Sequence, residues 1–225
     1  MDSLNFKIIA NIKSDFPEKF GIPRQSGILK NLRSTIQFTP EFRNADALRG
    51  LEGFSHLWIL WIFSENIRDS WSPTVRPPRL GGNKRLGVFA TRSSFRPNPI
   101  AMSCVKIEEI RFDVPEIVVS GADLMDGTPI VDIKPYLPYA DAIPDATGGF
   151  AEAVRFNHLE VEIAASDLAK LPEEKRETLK AILAEDPRPH YQADPERIYG
   201  FHFAGFEVKF KVNENSLSVV GIEKA

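Results

Sequence analysis

A single cysteine, Cys104, stands among the 225 residues, so no intrachain disulfide is available, and its apolar neighbours point to a buried thiol rather than a reactive one. Histidine is nearly as scarce. His56, His158, His190 and His202 lie far apart, without the short spacings that zinc sites favour, and no metal is expected. Long apolar runs are missing as well. The longest, Leu57 to Phe63, is far too short for a membrane span, and the N-terminus, with Asp2 and Asn5 and no apolar core, does not read as a secretory signal. A cytoplasmic address is the expectation. No Gly-x-Gly-x-x-Gly turn occurs, which removes support for a doubly wound dinucleotide or nucleotide site. Gly82 and Gly87 have the separation of a phosphate loop, yet Val88 and Phe89 follow where a Lys and a Ser or Thr are required. Serine nucleophile elbows are also absent. Nor is there a general excess of positive charge: at a net −3 the chain is not a nucleic-acid binder of the strongly basic kind, and any such binding has to be local.

The absence that matters most is acidic. From Thr74 to Ser103 no Asp or Glu occurs, while Arg76, Arg79, Lys84, Arg85, Arg92 and Arg96 sit among prolines and glycines. A solvated basic loop needing no ligand is the plain reading of a charge run. Against it stand Gly81, Gly82, Gly87 and the rigid stretch Arg96, Pro97, Asn98, Pro99, which describe shaped backbone presenting positive charge to an anionic partner, a nucleic acid or a ligand carboxylate.

What is present is an ordinary packed globule, with 43% hydrophobic residues. Phe6 to Ile12, Leu57 to Phe63, Gly87 to Ala90, Ile100 to Ile110, Ile117 to Val119 and Val131 to Ile133 are short runs rich in Val, Ile and Phe between turn residues, and they predict β-structure. Leu57 to Phe63 is apolar almost throughout, which predicts a strand buried on both faces, with a buried helix as the other reading. Asn44 to Leu51 fits a short helix. After Pro135, Pro138 and Pro144 the pair Gly148-Gly149 marks a boundary, giving a main unit over residues 1–150 and a smaller one over 151–225. In the smaller unit His158 to Ile163 alternates like a strand, and Pro172 opens a helix to Ala184 with Leu179, Ile182 and Leu183 as its apolar stripe. Gly205 to Val212 and Leu217 to Ile222 form a hairpin around Asn213 to Ser216. Phe201, Phe203 and Phe206 read as core or interface residues rather than base-stacking platforms.

Stiff polar knots lie between the apolar runs: Pro23 to Gly27, Ala90 to Pro99, and Asp123 to Thr128. Singly these are a surface cation, a strand stop and a turn. Together with Phe54 to Leu60, Pro73 to Leu80, the stretch from Asp126 to Pro138, and Asp186-Pro187-Arg188-Pro189 with Tyr191, they carry a resemblance to a known family. The chain resembles the tRNA methyltransferases of the TrmO type, also called YaeB-like. These use S-adenosylmethionine (SAM) to methylate N6 of threonylcarbamoyladenosine beside the anticodon.

The resemblance implies a mainly β, α+β protein: a compact antiparallel β-barrel rather than a Rossmann sheet, a small α+β C-terminal domain, and SAM bound near a homodimer interface. By position it puts the cofactor on Pro23, Arg24 and Gln25, on Ser64 and Glu65, on Arg92, on the strand at Met102 and Cys104, and on Asp123, Leu124, Met125 and Asp126. Arg92 suits the carboxylate of the cofactor's amino-acid tail, where a bidentate contact is available. Asp123 or Asp126 holds the ammonium or balances the sulfonium, and Asp126 is the candidate for the base that takes the acceptor's proton. Ser64 and Glu65 depart from the His-Gln pair of some relatives, and a backbone contact survives that change. For tRNA the resemblance implies phosphate contacts from Arg76, Arg79, Lys84 and Arg85, with Arg188 and Tyr191 for the flipped-out anticodon-loop base. Other readings are a SAM-dependent methyltransferase of another RNA or a small molecule, a nonenzymatic RNA-binding barrel, and a structural dimerisation module.

Overall fold

In a computed structural model, residues 4–77, 80, 84–152, 158–188 and 194–225 are described. The strands in chain order are β1 (Ala10–Lys13), β2 (Arg33–Phe38), β3 (His56–Ile62), β4 (Thr74–Val75), β5 (Leu86–Gly87), β6 (Ile100–Arg111), β7 (Glu116–Ser120), β8 (Pro129–Pro135), β9 (Glu160–Glu162), β10 (Tyr199–Phe203), β11 (Phe206–Asn213) and β12 (Ser216–Lys224). The helices are α1 (Pro138–Asp141), α2 (Ala165–Leu168) and α3 (Glu173–Ala184). None of these is long and apolar enough to cross a membrane.

Six strands close an antiparallel barrel in the order β1-β2-β7-β6-β3-β8. Closure removes the sheet edges and gives every strand one inner and one outer face, so a barrel this small is filled by its own side chains. Ile12, Ile36, Leu57, Ile59, Trp61, Val105, Ile117, Val119, Leu124 and Ile130 belong to that filling. A second sheet, β10-β11-β12-β9, pairs β9 parallel to β12 and antiparallel elsewhere. Its apolar face packs on α3 through Leu179, Ile182 and Leu183, the stripe expected from the helical period. Phe201 and Phe203 are core residues of this layer and Phe206 packs against it.

Several expectations shift. β3 is buried on one face only: Leu57, Ile59 and Trp61 point inward, while Trp58, Leu60 and Ile62 are half-buried outside, because the barrel gives the strand just one interior. The N-terminal strand starts at Ala10, leaving Leu4, Phe6 and Ile8 exposed. Of Gly87 to Ala90 only Gly87 pairs, in β5, and Val88–Ala90 is a 3-10 turn. Asn44 to Leu51 resolves into the 3-10 turn Ala45–Leu48, whose cap Asn44 accepts the Asp46 N–H at 2.9 Å, and a second turn Leu51–Gly53. Pro172 caps α3 rather than opening it. β2 was not among the expected strands, since Arg33, Ser34, Thr35 and Gln37 mask the inward Ile36 and Phe38.

The two cores share one segment. Phe16, Leu29 and Leu32, from the link between β1 and β2, are buried in the second core, not in the barrel. Phe16 meets Phe203 with ring centroids 5.4 Å apart, and the Ala204 N–H donates to the Asp15 carbonyl at 2.9 Å. The link therefore runs from the barrel along the second sheet and back, and on the return it presents Pro23 to Gln25 between them.

Candidate active site

A cavity of about 580 Å³ opens where β3 ends and β6 begins, a volume suited to a small organic ligand. Leu60, Ile62, Phe63, Ile100 and Met102 supply its apolar side. Around them stand Pro23 to Gln25, Ser64 to Asn66, the loop from Thr91 to Arg96, Asp123 and Met125.

Each wall is held by bonds of its own. The Pro23 to Gln25 loop is pinned where the Gly27 N–H donates to the Gly121 carbonyl at 2.8 Å and the Ser26 hydroxyl accepts the Cys104 N–H at 3.1 Å. A Cβ on Gly121 would lie 3.3 Å from Gly27, and the φ of Gly121 is +83°, so this approach of two backbones needs glycine. In the Thr91 to Arg96 loop the Arg96 guanidinium donates to the Thr91 and Ser93 carbonyls at 3.1 and 3.4 Å. Arg96 thus stiffens the loop from within. The Ser64–Asn66 turn is tied by the Phe63 N–H to the Pro99 carbonyl at 2.8 Å and by Lys19 to Asn66 Oδ1 at 2.9 Å.

The charges in the cavity are of both signs. The Arg92 guanidinium is exposed and donates to Gln25 Oε1. Asp123 is the carboxylate set deepest: burial pushes its carboxyl up from the ordinary value, while the Ser103 hydroxyl, backbone hydrogen bonds and the Arg92 charge pull it back. Ser103 Oγ lies 2.5 Å from Asp123 Oδ1, and the Trp61 indole N–H donates to Ser103 Oγ at 2.9 Å.

Of the residues expected from sequence, the fold brings Pro23, Arg24, Gln25, Ser64, Glu65, Arg92, Met102, Asp123 and Met125 to this one cavity. Three need correction. Leu124 turns into the barrel core. Cys104 is half-buried rather than buried, its thiol pushed up by burial, and its backbone meets Ser26. Asp126 sits outside the cavity wall, where its carboxylate takes the Ser14 N–H at 2.9 Å and the Lys13 ammonium at 3.0 Å. The physical cause is the turn through Gly127, whose N–H donates to the Ile12 carbonyl at 2.8 Å and carries Asp126 toward β1. Trp61 escaped the sequence reading, and Ser103 entered it only as part of the strand around Met102 to Cys104. A lone serine in the apolar first half of the strand, between Ile100 and Val105, was the available signal.

Arg76, Lys84 and Arg85 are exposed on the arm around β4 and β5, and Arg85 donates to Thr74 Oγ1 at 3.1 Å. Arg79, Pro189 and Tyr191 lie outside the described residues, as do Gly81 and Gly82. Arg188 does not reach outward as expected. Its Nε donates to both Asp186 oxygens at 3.0 and 3.1 Å, and its side chain is 16% exposed. Arg24 donates to the Asp186 and Arg188 carbonyls at 3.1 and 3.4 Å, which ties this turn of the C-terminal unit to the cavity loop. Trp71 and Phe89 expose 52% and 73% of their surface and meet with ring centroids 6.1 Å apart.

The model of the tRNA-methyltransferase O N-terminal domain matches residues 11–142, and that of the TrmO C-terminal domain matches residues 152–225. The chain is 42% identical to the tRNA (adenine(37)-N6)-methyltransferase of Escherichia coli (strain K12), with 99% of each chain covered. It is 44% identical to a putative S-adenosylmethionine-dependent methyltransferase, RcsF, of Pseudomonas aeruginosa, over 89% of each. A crystal structure of TrmO from Pseudomonas aeruginosa superimposes with a TM-score of 0.80 at 34% identity, covering 98% of both chains. With both domain models matched in order and nearly full-length relatives on either side, the chain belongs to the tRNA-methyltransferase O family.

Proposed function

We propose that the protein methylates N6 of threonylcarbamoyladenosine beside the anticodon of tRNA, with SAM as donor. The observation that carries this reading is a single cavity with an apolar side, a deep-set carboxylate and an exposed guanidinium, next to a cationic arm. Those groups fit SAM: its adenine needs apolar contact, and its α-amino-acid tail needs one anion and one cation. When bound, SAM supplies a methyl group already activated by the sulfonium. The protein's task is alignment and exclusion of water, and positioning of this kind contributes up to about 7–11 kcal/mol in the best-oriented systems. Arg92 takes the tail carboxylate, Asp123 the cationic part, and Leu60, Ile62 and Met102 keep the reacting end dry. The base role considered for Asp126 falls with its placement against Lys13.

Arg76, Lys84 and Arg85, with Arg79, supply phosphate contacts, and the C-terminal unit from residue 151 contributes to the tRNA surface through the turn that Arg24 holds. Methyl transfer to synthetic anticodon stem-loops tests this. A loop carrying threonylcarbamoyladenosine is expected to be methylated and the unmodified loop not; equal rates on both would favour another RNA substrate, and absence of SAM binding in calorimetry a nonenzymatic barrel. Changing Arg76, Lys84 and Arg85 together to Ala is expected to reduce the salt slope of stem-loop binding by roughly 2–3 units, one per lost phosphate contact.

The same reading makes the protein a cytoplasmic homodimer with the cofactor near the interface. The dimer is supported by exposed Ile67, Trp71, Phe89 and Met102, of which Trp71 and Phe89 are in ring contact and Met102 lines the cavity. Phe89→Asp is expected to move the protein to the monomer position in light scattering, and an unchanged dimer would remove Phe89 from that interface.

A further inference from the structure

Trp61, Ser103 and Asp123 make a hydrogen-bonded line from the barrel interior to the cavity wall. Trp61 is 7% exposed and Ser103 fully buried, so water does not compete for either group. The inner end of the line is fixed by the indole. An indole nitrogen only donates, so the Trp61 N–H occupies an acceptor site on Ser103 Oγ. The hydroxyl then has a single proton to give, and the partner within 2.5 Å is Asp123 Oδ1. With Asp123 ionised, Oδ1 is the acceptor of that proton. The bulge between β3 and β8 at Leu60 and Trp61 lies beside this line, the kind of local irregularity that re-aims a side chain.

We propose that Trp61 and Ser103 are positioning residues for an ammonium subsite: they engage one oxygen of Asp123 and thereby set the other toward the α-ammonium of an amino-acid tail. This rests on the SAM reading above. The ammonium is preferred over the sulfonium on two grounds. It carries three N–H donors for a fixed acceptor, whereas a sulfonium has none. The Arg92 charge also acts on Asp123, so cation and anion stand close enough to serve the two ends of one zwitterion. Burial alone opposes an ionised Asp123, and the Ser103 hydrogen bond is the largest influence restoring it.

The test is calorimetry on the full chain with three ligands: SAM, S-adenosylhomocysteine, which keeps the ammonium on a neutral sulfur compound, and 5′-methylthioadenosine, which lacks the tail. Ser103→Ala is expected to weaken SAM and S-adenosylhomocysteine alike by roughly tenfold, the scale of one charge-assisted hydrogen bond, with methylthioadenosine unchanged within about twofold. Trp61→Phe is expected to give a smaller loss with the same selectivity, and none when added to Ser103→Ala, because Trp61 acts through Ser103. Should Ser103→Ala fail to fold, Trp61→Phe carries the same ligand series. Equal losses for all three ligands, or none, overturn the proposal, and a loss for SAM without one for S-adenosylhomocysteine overturns it in favour of the sulfonium. If the unaltered protein binds none of the three, the methyltransferase reading itself fails, an outcome distinct from these.

Discussion

Gly21→Ala is expected to destabilise the protein by about 2–5 kcal/mol, combining roughly 1–2 for a left-handed backbone with roughly 1–3 for overpacking. Gly21 has φ +90°, and a Cβ there would sit 2.4 Å from Cδ2 of Phe201. The ring cannot retreat. Phe201 is 1% exposed and held edge-on between Phe20 and Phe210, at centroid distances of 6.4 and 6.1 Å. Against a whole-protein stability of about 5–15 kcal/mol the loss is large. Urea unfolding should show a lower midpoint at unchanged slope. Gly50→Ala is the control, because Gly50 has the same φ of +90° with nothing within 4 Å of its would-be Cβ. If both variants lose the same amount, the Phe201 clash is relieved and the packing argument fails. Gly21 also precedes Ile22 to Gln25 of the cavity wall, so the variant should lose cofactor affinity along with stability.

Asp123→Asn is expected to raise the KM for SAM by about 30–100-fold while leaving kcat close to normal, since it removes a contact present in ground and transition states alike. Unfolding is not the route. The folded-state pKa of Asp123 lies above its ordinary value, chiefly through burial. Its contribution to stability is therefore complete below that ordinary value and is lost as pH rises through the folded one. At neutral pH the ionised carboxylate costs the fold free energy, and the amide relieves that cost. The variant should then unfold no earlier than the parent while binding SAM poorly. A fall in melting temperature that accounts for the lost activity would overturn this assignment. Because the cation requires the ionised form, SAM affinity in the parent should also decline once pH falls below the raised folded value.

Much of the architecture is legible along the chain. The spacing Leu179, Ile182, Leu183 marks the buried stripe of α3, and the alternation around Asn213 to Ser216 marks the β11–β12 hairpin, because both patterns arise from contacts within a few residues. β2 was illegible, since four of its six side chains are polar and its partners, β1 and β7, lie at distant points of the chain. The acid-free stretch from Thr74 to Ser103 announced a binding function. It did not announce that its arginines divide their labour, with Arg96 bonding its own loop, Arg92 facing the cavity and Arg76 and Arg85 left on the outside.

Asp123 and Asp126 show where local reading stops. Three residues apart in one turn, they are equivalent in composition and spacing, and either was eligible for the cofactor's cation. Arg188 is the parallel case, a cation by sequence and an internal brace for Asp186 in the fold. What the amino-acid order alone determined was most of the strands, the stiff loops between them and the sign of the charge they carry, all consequences of short-range periodicity and of backbone restriction by proline and glycine. Which carboxylate faces the cavity was decided only by tertiary structure: Lys13 and Ser14 of the first strand and its exit claim Asp126, whereas Ser103 and Trp61 from two other strands claim Asp123. These partners become neighbours only when the barrel closes, and a side chain's direction at a turn is set by the neighbours that can satisfy it.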